Sequence, residues 1–380
     1  VGLAPEPTPF SGSHPPHHAS VKPAISGCLA LVALLSLVTT GAGCKSIGPG
    51  AVTRDRFSYS DAVASSWKSQ MLLNLVKTRY LDLPIYLDVG QIVSGYTLET
   101  GVSLSGQLSP QSMRGDSFGA VGARGTFTDR PTITYTPMTG EKFLQGFLDP
   151  IHPARVLALL RAGYGADFIL TLSLESLNGW HNQHVSATVG RKADPEFFRA
   201  AALLGKLQTE GLVGVKVEQP TNGASSLRLF LRTDRLEAPS QSTAAELRTL
   251  LSLDPGSFSW RIVQSPLRGD PGELGMATRS LMQMLGALSL GIEIPASHVE
   301  RRLVPPVSMM PPAEQRLLTV HSGPDEPDDS YVAVRYEDAW FWVANDDWKS
   351  KRTFSSILFL FTLSDAGGAD RLPVITIPAQ

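Results

Sequence analysis

YTLETGVSLSGQL, Tyr96–Leu108, and SFGAVGARGTF, Ser117–Phe127, both alternate with a period of two. Tyr96, Leu98, Val102, Leu104 and Leu108 stand at every second position, with Thr97, Glu99, Ser103, Ser105 and Gln107 between them. Successive side chains of a strand point to opposite faces, so the first set shares one face and the second set the other. In the second stretch Val121, Ala123 and Phe127 share a face, opposed by Ala120, Arg124 and Thr126. The polar segment Ser109–Asp116 between them reads as a loop. Pairing Leu108 with Ser117 sets Leu104 opposite Val121, Val102 opposite Ala123 and Leu98 opposite Phe127. The two apolar faces then coincide, which specifies one long amphipathic β-hairpin over 96–127.

The flanks mix helix and strand periods, so the expected fold class is α+β, with helices and antiparallel sheets. Upstream, Asp61–Tyr80 carries Val63, Trp67, Met71 and Leu75 at helical spacing, with Ser60 placed to cap it. Ile85–Val89 reads as a buried strand and Pro131–Thr136 as another. Downstream, helices are expected over Glu141–Leu148, Pro153–Ala162, Pro195–Gln208 (capped by Asp194 and closed by Gly211), Thr243–Leu251, Leu274–Leu290 (stopped by Gly291) and Asp347–Leu363. Strands are expected over Phe168–Leu174, Leu212–Val217, Leu227–Leu231, Phe258–Val263, Leu317–His321, Tyr331–Tyr336, Trp340–Val343 and Val374–Ile377, with turns at Asn222-Gly223 and Glu337-Asp338. Pro305-Pro306 and Pro311-Pro312 read as a linker. This divides the chain into a leader over 1–43, a tether over 44–60, an N-terminal lobe over 61–190, a middle lobe over 191–304 and a C-terminal segment over 305–380.

The leader sets the compartment. LALVALLSLVTTGAGC, Leu29–Cys44, is an apolar run closed by Gly41, Ala42, Gly43 and a cysteine. The run is shorter than the roughly 20 residues of a permanent spanning helix and suits a signal peptide instead. The small residues let a peptidase reach the backbone, and the Cys44 thiol can carry a thioether-linked diacylglycerol. The pattern resembles the signal of bacterial lipoproteins, with Gly41 where Leu is usual. That resemblance implies cleavage between Gly43 and Cys44 and lipidation of Cys44. Lys45, in place of an Asp that would retain the protein at the inner membrane, implies an outer-membrane anchor facing the periplasm. Ile25-Ser26-Gly27-Cys28 matches the same letters but has no apolar run before it. Val1–Ser20 is Pro/His/Ser-rich and cannot build a core. It reads as a dispensable extension, with translation starting near Val21.

Composition excludes several function classes. Formal net charge is −2, which argues against a nucleic-acid partner. There are two cysteines. With Cys28 in the leader and Cys44 acylated, disulfides, thiolate catalysis and cysteine-ligated zinc all fall away. No phosphate loop, helical zinc motif, nucleophile elbow or dinucleotide fingerprint occurs.

Three clusters are candidates for binding. His181 and His184 are three residues apart, but Asn178-Gly179 places them at a turn, and solvated histidines are the expectation rather than a metal site. Asp325, Glu326, Asp328 and Asp329 form an acidic loop without EF-hand spacing, expected to be solvated. Trp340, Trp342 and Trp348, beside Tyr331 and Tyr336, read as packing aromatics that could also stack on sugar rings. No cofactor or catalytic residue is expected.

MLLNLVKTRYLDLPIYLDVGQIVSGY (Met71–Tyr96), DRPTITYTPMTGEKF (Asp129–Phe143), VAVRYEDAWFWV (Val332–Val343) and SKRTFSSILFLFTL (Ser350–Leu363) resemble a family of bacterial envelope lipoproteins. The resemblance spans most of the body after the leader and implies no activity and no site residues. The expectation is a non-enzymatic, lipid-anchored envelope protein with a scaffolding, assembly or binding role, working with a protein partner or with copies of itself. A first alternative is a subunit of an oligomeric outer-membrane channel or secretion complex. It would insert the hairpin carrying Tyr96, Leu98, Val102, Leu104, Val121 and Phe127, whose arms reach the roughly 9–11 residues of a membrane-crossing strand. The soluble counterpart is a sheet with one wet face. A second alternative is an envelope hydrolase or glycan binder, which would bring His152, His181, His298 or His321 beside carboxylates in a cleft.

Overall fold

A computed structural model describes residues 49–364, apart from 94–95, 108–117, 130–131, 186–189, 219–225, 235–236, 306–311 and 313–314. The leader with Gly43 and Cys44, the hairpin loop, the Asn222-Gly223 turn, most of the proline linker and the Val374–Ile377 strand lie outside the described residues. The chain divides into two units, Val1–Ser60 and Asp61–Gln380. Of the first, only residues 49–60 are described, in the opening turns of helix α1.

Helix α1 runs over Pro49–Arg79. It begins well before Asp61, at a proline whose fixed φ suits a first turn, so Ser60 lies inside it rather than at its cap. Strands β1 (Leu87–Val93), β2 (Tyr96–Gln107), β3 (Phe118–Asp129) and β4 (Thr132–Pro137) follow. Then come α2 (Glu141–Leu148), α3 (Pro153–Arg161), α4 (Ala166–Ser173), β5 (Leu174–Leu177), β6 (Trp180–His181), β7 (His184–Val185) and β8 (Gly190–Arg191). The middle of the chain supplies α5 (Pro195–Thr209), β9 (Val213–Glu218), β10 (Ser226–Leu231), α6 (Ala238–Leu250), β11 (Ser259–Val263) and β12 (Glu273–Thr278). The last elements are α7 (Leu281–Ser289), α8 (Ala296–Glu300), β13 (His321–Gly323), β14 (Val332–Tyr336), β15 (Ala339–Val343) and α9 (Trp348–Ser364). The fold is α+β.

The core forms on a six-stranded sheet of order β6-β5-β12-β11-β10-β9, antiparallel except between β11 and β12. Helix α5 shows how the sequence builds it. Pro195 opens the helix, Gly211 takes φ +72° two residues past its end, and Phe197, Ala200, Ala201, Leu204 and Leu207 form one buried stripe. Phe197 is wholly buried, and cutting such a side chain to Ala costs about 3–5 kcal/mol. A second sheet, β13-β15-β14, joins the body through a parallel bridge from Ile292 to Val320. In β15, Ala339, Phe341 and Val343 face the core while Trp340 and Trp342 are half-buried on the other side.

Several expectations are corrected. Phe168–Ser173 is not a strand but lies in helix α4, of which Ala166, Phe168, Ile169, Leu170, Leu172 and Ser173 are buried, and only Leu174 opens strand β5. Asp167 alone in this helix is exposed, and so continuous an apolar run reads equally as a strand. Leu274–Leu290 is not one helix. Leu274–Thr278 lie in strand β12, buried on both faces, and α7 starts anew at a capping box in which Ser280 and Gln283 cap each other. Ile85–Val89 is not a buried strand, since Ile85 and Leu87 are exposed and β1 begins at Leu87. Pairing in the Leu317–His321 region begins only at Val320, and β13 itself at His321. Helix α6 starts at Ala238 rather than Thr243, with proline in its first turn.

Candidate functional site

The site is the β-ribbon and its root. At the root, two carboxamides one helical turn apart on α1 grip alternate residues of the extended chain. Asn74 donates to the Ile85 carbonyl (2.7 Å) and accepts from the Ile85 N–H (3.0 Å). Gln70 does the same for Leu87, at 3.1 Å each way. Each side-chain amide thus stands in for a neighbouring strand. Beside them lies a cleft of about 280 Å³ lined by Trp67, Met71, Tyr86, Leu87, Met138 and Phe361.

From this root β1 and β4 pair antiparallel, Leu87 opposite Pro137 and Val93 opposite Thr132. β2 and β3 pair next, from Tyr96 opposite Asp129 to Gln107 opposite Phe118. Tyr96 follows Val93 by three residues and Asp129 precedes Thr132 by three, so the two ladders share one register. Leu98 stands opposite Phe127, Val102 opposite Ala123 and Leu104 opposite Val121, the partners that aligning the two apolar faces requires. The side chains of Tyr96, Leu98, Val102, Leu104, Val121 and Phe127 lie outside the described set. In the row between them, Glu99, Gly101, Ser103, Ser105, Gly122, Arg124 and Thr126 are exposed.

A bulge at Gly90 shifts the pairing of β1. Val89 pairs with Tyr135 and Ile92 with Ile133, so the extra residue brings Val89 and Ile92 onto one face with Ile133 and Tyr135. Asp88 pairs with Thr136 on the other face. All six residues of β4 are exposed, Ile133 at 40% and Tyr135 at 55%. At the ribbon's root β4 is thus exposed throughout, while Asp88, Val89 and Ile92 of β1 are half-buried. Among the described residues neither β1–β4 nor β2–β3 has a third strand, so the outer edges are open.

The other candidates are placed differently. His184 lies 3.8 Å from Glu175, whereas the His181 N–H is held by Asp194 (2.7 Å), which caps no helix with its side chain. Among the described residues no three metal-ligating side chains gather, at the histidine pair or at the acidic loop. In that loop Asp329 accepts from Asn345. Trp348 is exposed, and Trp342 leans on His321, which meets Glu293 at 3.0 Å. The His152 ring caps α3 by accepting from Ala154 N.

His298 carries the densest polar arrangement. It is buried on α8, with Nδ1 2.5 Å from the Tyr80 hydroxyl and Nε2 on the Asp338 carboxylate. Arg301 holds the other Asp338 oxygen at 3.1 Å. Burial, then the neighbouring Tyr336, pushes the Tyr80 hydroxyl up to about 12. It therefore keeps its proton at neutral pH, and the two ring nitrogens of His298 bridge the Tyr80 hydroxyl and the Asp338 carboxylate. The chain of groups ties the end of α1, α8 and the β14–β15 turn together.

Arg279 was not singled out in the sequence, because reading one helix through 274–290 hid it. It is buried between β12 and α7 and donates to the carbonyls of Thr171 (3.2 Å), Leu172 (3.3 Å) and Gln183. Thr171 and Leu172 belong to the last turn of α4, whose partial negative charge a cation suits. Burial lowers the guanidinium to about 10, so it stays charged at neutral pH.

Compared with models of protein families, with curated proteins and with solved structures, the chain matches none. Among the described residues no helix is long and apolar enough to cross a membrane.

Proposed function

We propose that this chain is an envelope protein, held to the membrane through an acylated Cys44, that assembles with copies of itself through its β-ribbon. Its role is scaffolding, without catalysis. The observation that carries this reading is the ribbon: β4 exposed along its whole length at the root, and no third strand on β2–β3 among the described residues. A lone two-stranded ribbon is marginal in water, and an open edge recruits another strand. If the outer edge of β2 in one copy takes that of β3 in the next, the contact is antiparallel and heterologous, and it closes into a ring when the rotation allows. A lipid on Cys44 would concentrate the copies in one plane.

The test is particle mass. Full-length protein extracted in mild detergent should be a discrete oligomer by native mass spectrometry. Replacing 97–128 by Asn-Gly closes Tyr96 to Asp129 with a two-residue hairpin turn and should leave monomers. A monomeric wild-type particle overturns the reading. Cys44→Ala should lose fatty-acid incorporation and leave the membrane fraction.

A further inference from the structure

We infer that β2 and β3 form a stave of a closed barrel that spans a lipid bilayer and passes small ions. This rests on the self-assembly proposed above and adds what each row of the ribbon faces.

Length comes first. β2 and β3 have 12 residues each, paired throughout. A tilted strand needs about 9–11 residues to cross a hydrocarbon core of roughly 30 Å. The paired run therefore crosses with a little to spare. In the row of Leu98, alternate positions of β2 hold Leu98, Thr100, Val102, Leu104 and Gly106. Their partners are Phe127, Gly125, Ala123, Val121 and Gly119. None of these positions is charged. The first charge in this row is Asp129, opposite Tyr96, at the end nearest the root, where an aromatic and an acid suit a membrane–water boundary.

The other row has the composition of a wet lumen. Glu99, Gly101, Ser103 and Ser105 on β2 and Gly122, Arg124 and Thr126 on β3 are small or polar, and exposed. Five glycines in the two strands leave few side chains to interlock with a folded protein partner, a demand that hydrocarbon does not make. Lipid also forbids open edges, so crossing requires the edge-to-edge closure by further copies that the assembly reading supplies. Each copy would place Glu99 and Arg124 in the lumen row, on adjacent rungs, Glu99 opposite Thr126 and Gly101 opposite Arg124. These rings of charge would set ion preference.

The experiment uses the full chain reconstituted in phosphatidylethanolamine–phosphatidylglycerol vesicles and planar bilayers. Cysteines are placed one at a time on a Cys28→Ser background, Cys44 being common to all, and labelled with an environment-sensitive fluorophore. V102C and L104C should give blue-shifted emission quenched by brominated lipid, and S103C and S105C should not. Stepwise conductance should appear, shift toward anions in Glu99→Gln and toward cations in Arg124→Gln, and vanish when 97–128 is replaced by Asn-Gly. Oligomers with no alternation between 102–105 and no conductance would overturn the barrel and leave the assembly standing. Monomers without conductance would overturn both.

Discussion

Asn74 holds Ile85 by both ends of its carboxamide, donating to the carbonyl at 2.7 Å and accepting from the amide at 3.0 Å. Asn74 is buried. Removing it leaves part-buried main-chain groups unpaired, so Asn74→Ala should cost about 2–3 kcal/mol in urea unfolding. Gln70→Ala, whose hydrogen bonds to Leu87 are exposed, should cost less than about 1 kcal/mol by the same measure. Equal losses would show that the two grips are not separated by burial.

The His298 contact, first among its causes, holds the Asp338 carboxyl below the usual range. A depressed folded value contributes stability above the unfolded pKa of about 3.9 that is lost as pH falls through the folded value. Wild type should therefore lose stability on acidification below about pH 4 more steeply than Asp338→Asn, read as urea midpoints across an acid series. Tyr80 has the opposite sense. Its raised value means stability present below about pH 10 and lost as pH climbs toward about 12, an alkaline limb that Tyr80→Phe should lessen, the raised Tyr336 and Tyr86 hydroxyls keeping the rest.

Arg279→Met strips the donors from three carbonyls, two in the last turn of α4 and one at Gln183 between β6 and β7. The expected loss is about 2–4 kcal/mol, visible as a lowered thermal midpoint. Arg279→Lys keeps the charge but has no planar fork to span the carbonyls, so it should recover only a fraction.

Gly291→Ala tests a close approach. A Cβ there would lie 1.9 Å from the Leu318 carbonyl oxygen, beside the Ile292–Val320 bridge. Main chain cannot yield as a flexible side chain would, so a loss of at least about 1–3 kcal/mol is expected. Gly211→Ala meets nothing within 4 Å, but its φ of +72° disfavours a side chain, and about 1 kcal/mol should suffice there.

The body should be indifferent to the distal ribbon. Replacing 97–128 by Asn-Gly removes residues whose partners lie in the ribbon itself. The thermal midpoint of the rest should stay within a few degrees, about the shift expected from under 1 kcal/mol.

Alternation made the distal ribbon's facing legible, because Leu98, Val102 and Leu104 share a parity that a one-residue slip against Val121, Ala123 and Phe127 would break. Pro195 at the start and Gly211 past the end made α5 legible, as turn chemistry did the Glu337-Asp338 turn, although Asp194 makes no capping bond. Legibility failed where apolar residues run on with few polar breaks. In α4 and β12 the apolar run erases the period, and only the Ser280–Gln283 box marks the break. The site was half legible: the alternate rows stand in the sequence, but the grip of Gln70 and Asn74 is a contact between elements that no local pattern announces. Gly291 was read as a helix stop. It does follow α7, yet its glycine is required by Leu318, a residue distant in sequence.

The bulge at Gly90 has a consequence for how this arm can vary. It acts as a phase corrector, spending one unmatched residue so that Val89 and Ile92 keep to the side of Ile133 and Tyr135. Swapping one aliphatic for another leaves that phase untouched, and losing Gly90 itself would only straighten the strand, whereas losing one paired residue of β2, such as Thr100, would set positions 98 and 102 on opposite sides. Substitutions along this arm should therefore be borne far more easily than one-residue insertions or deletions.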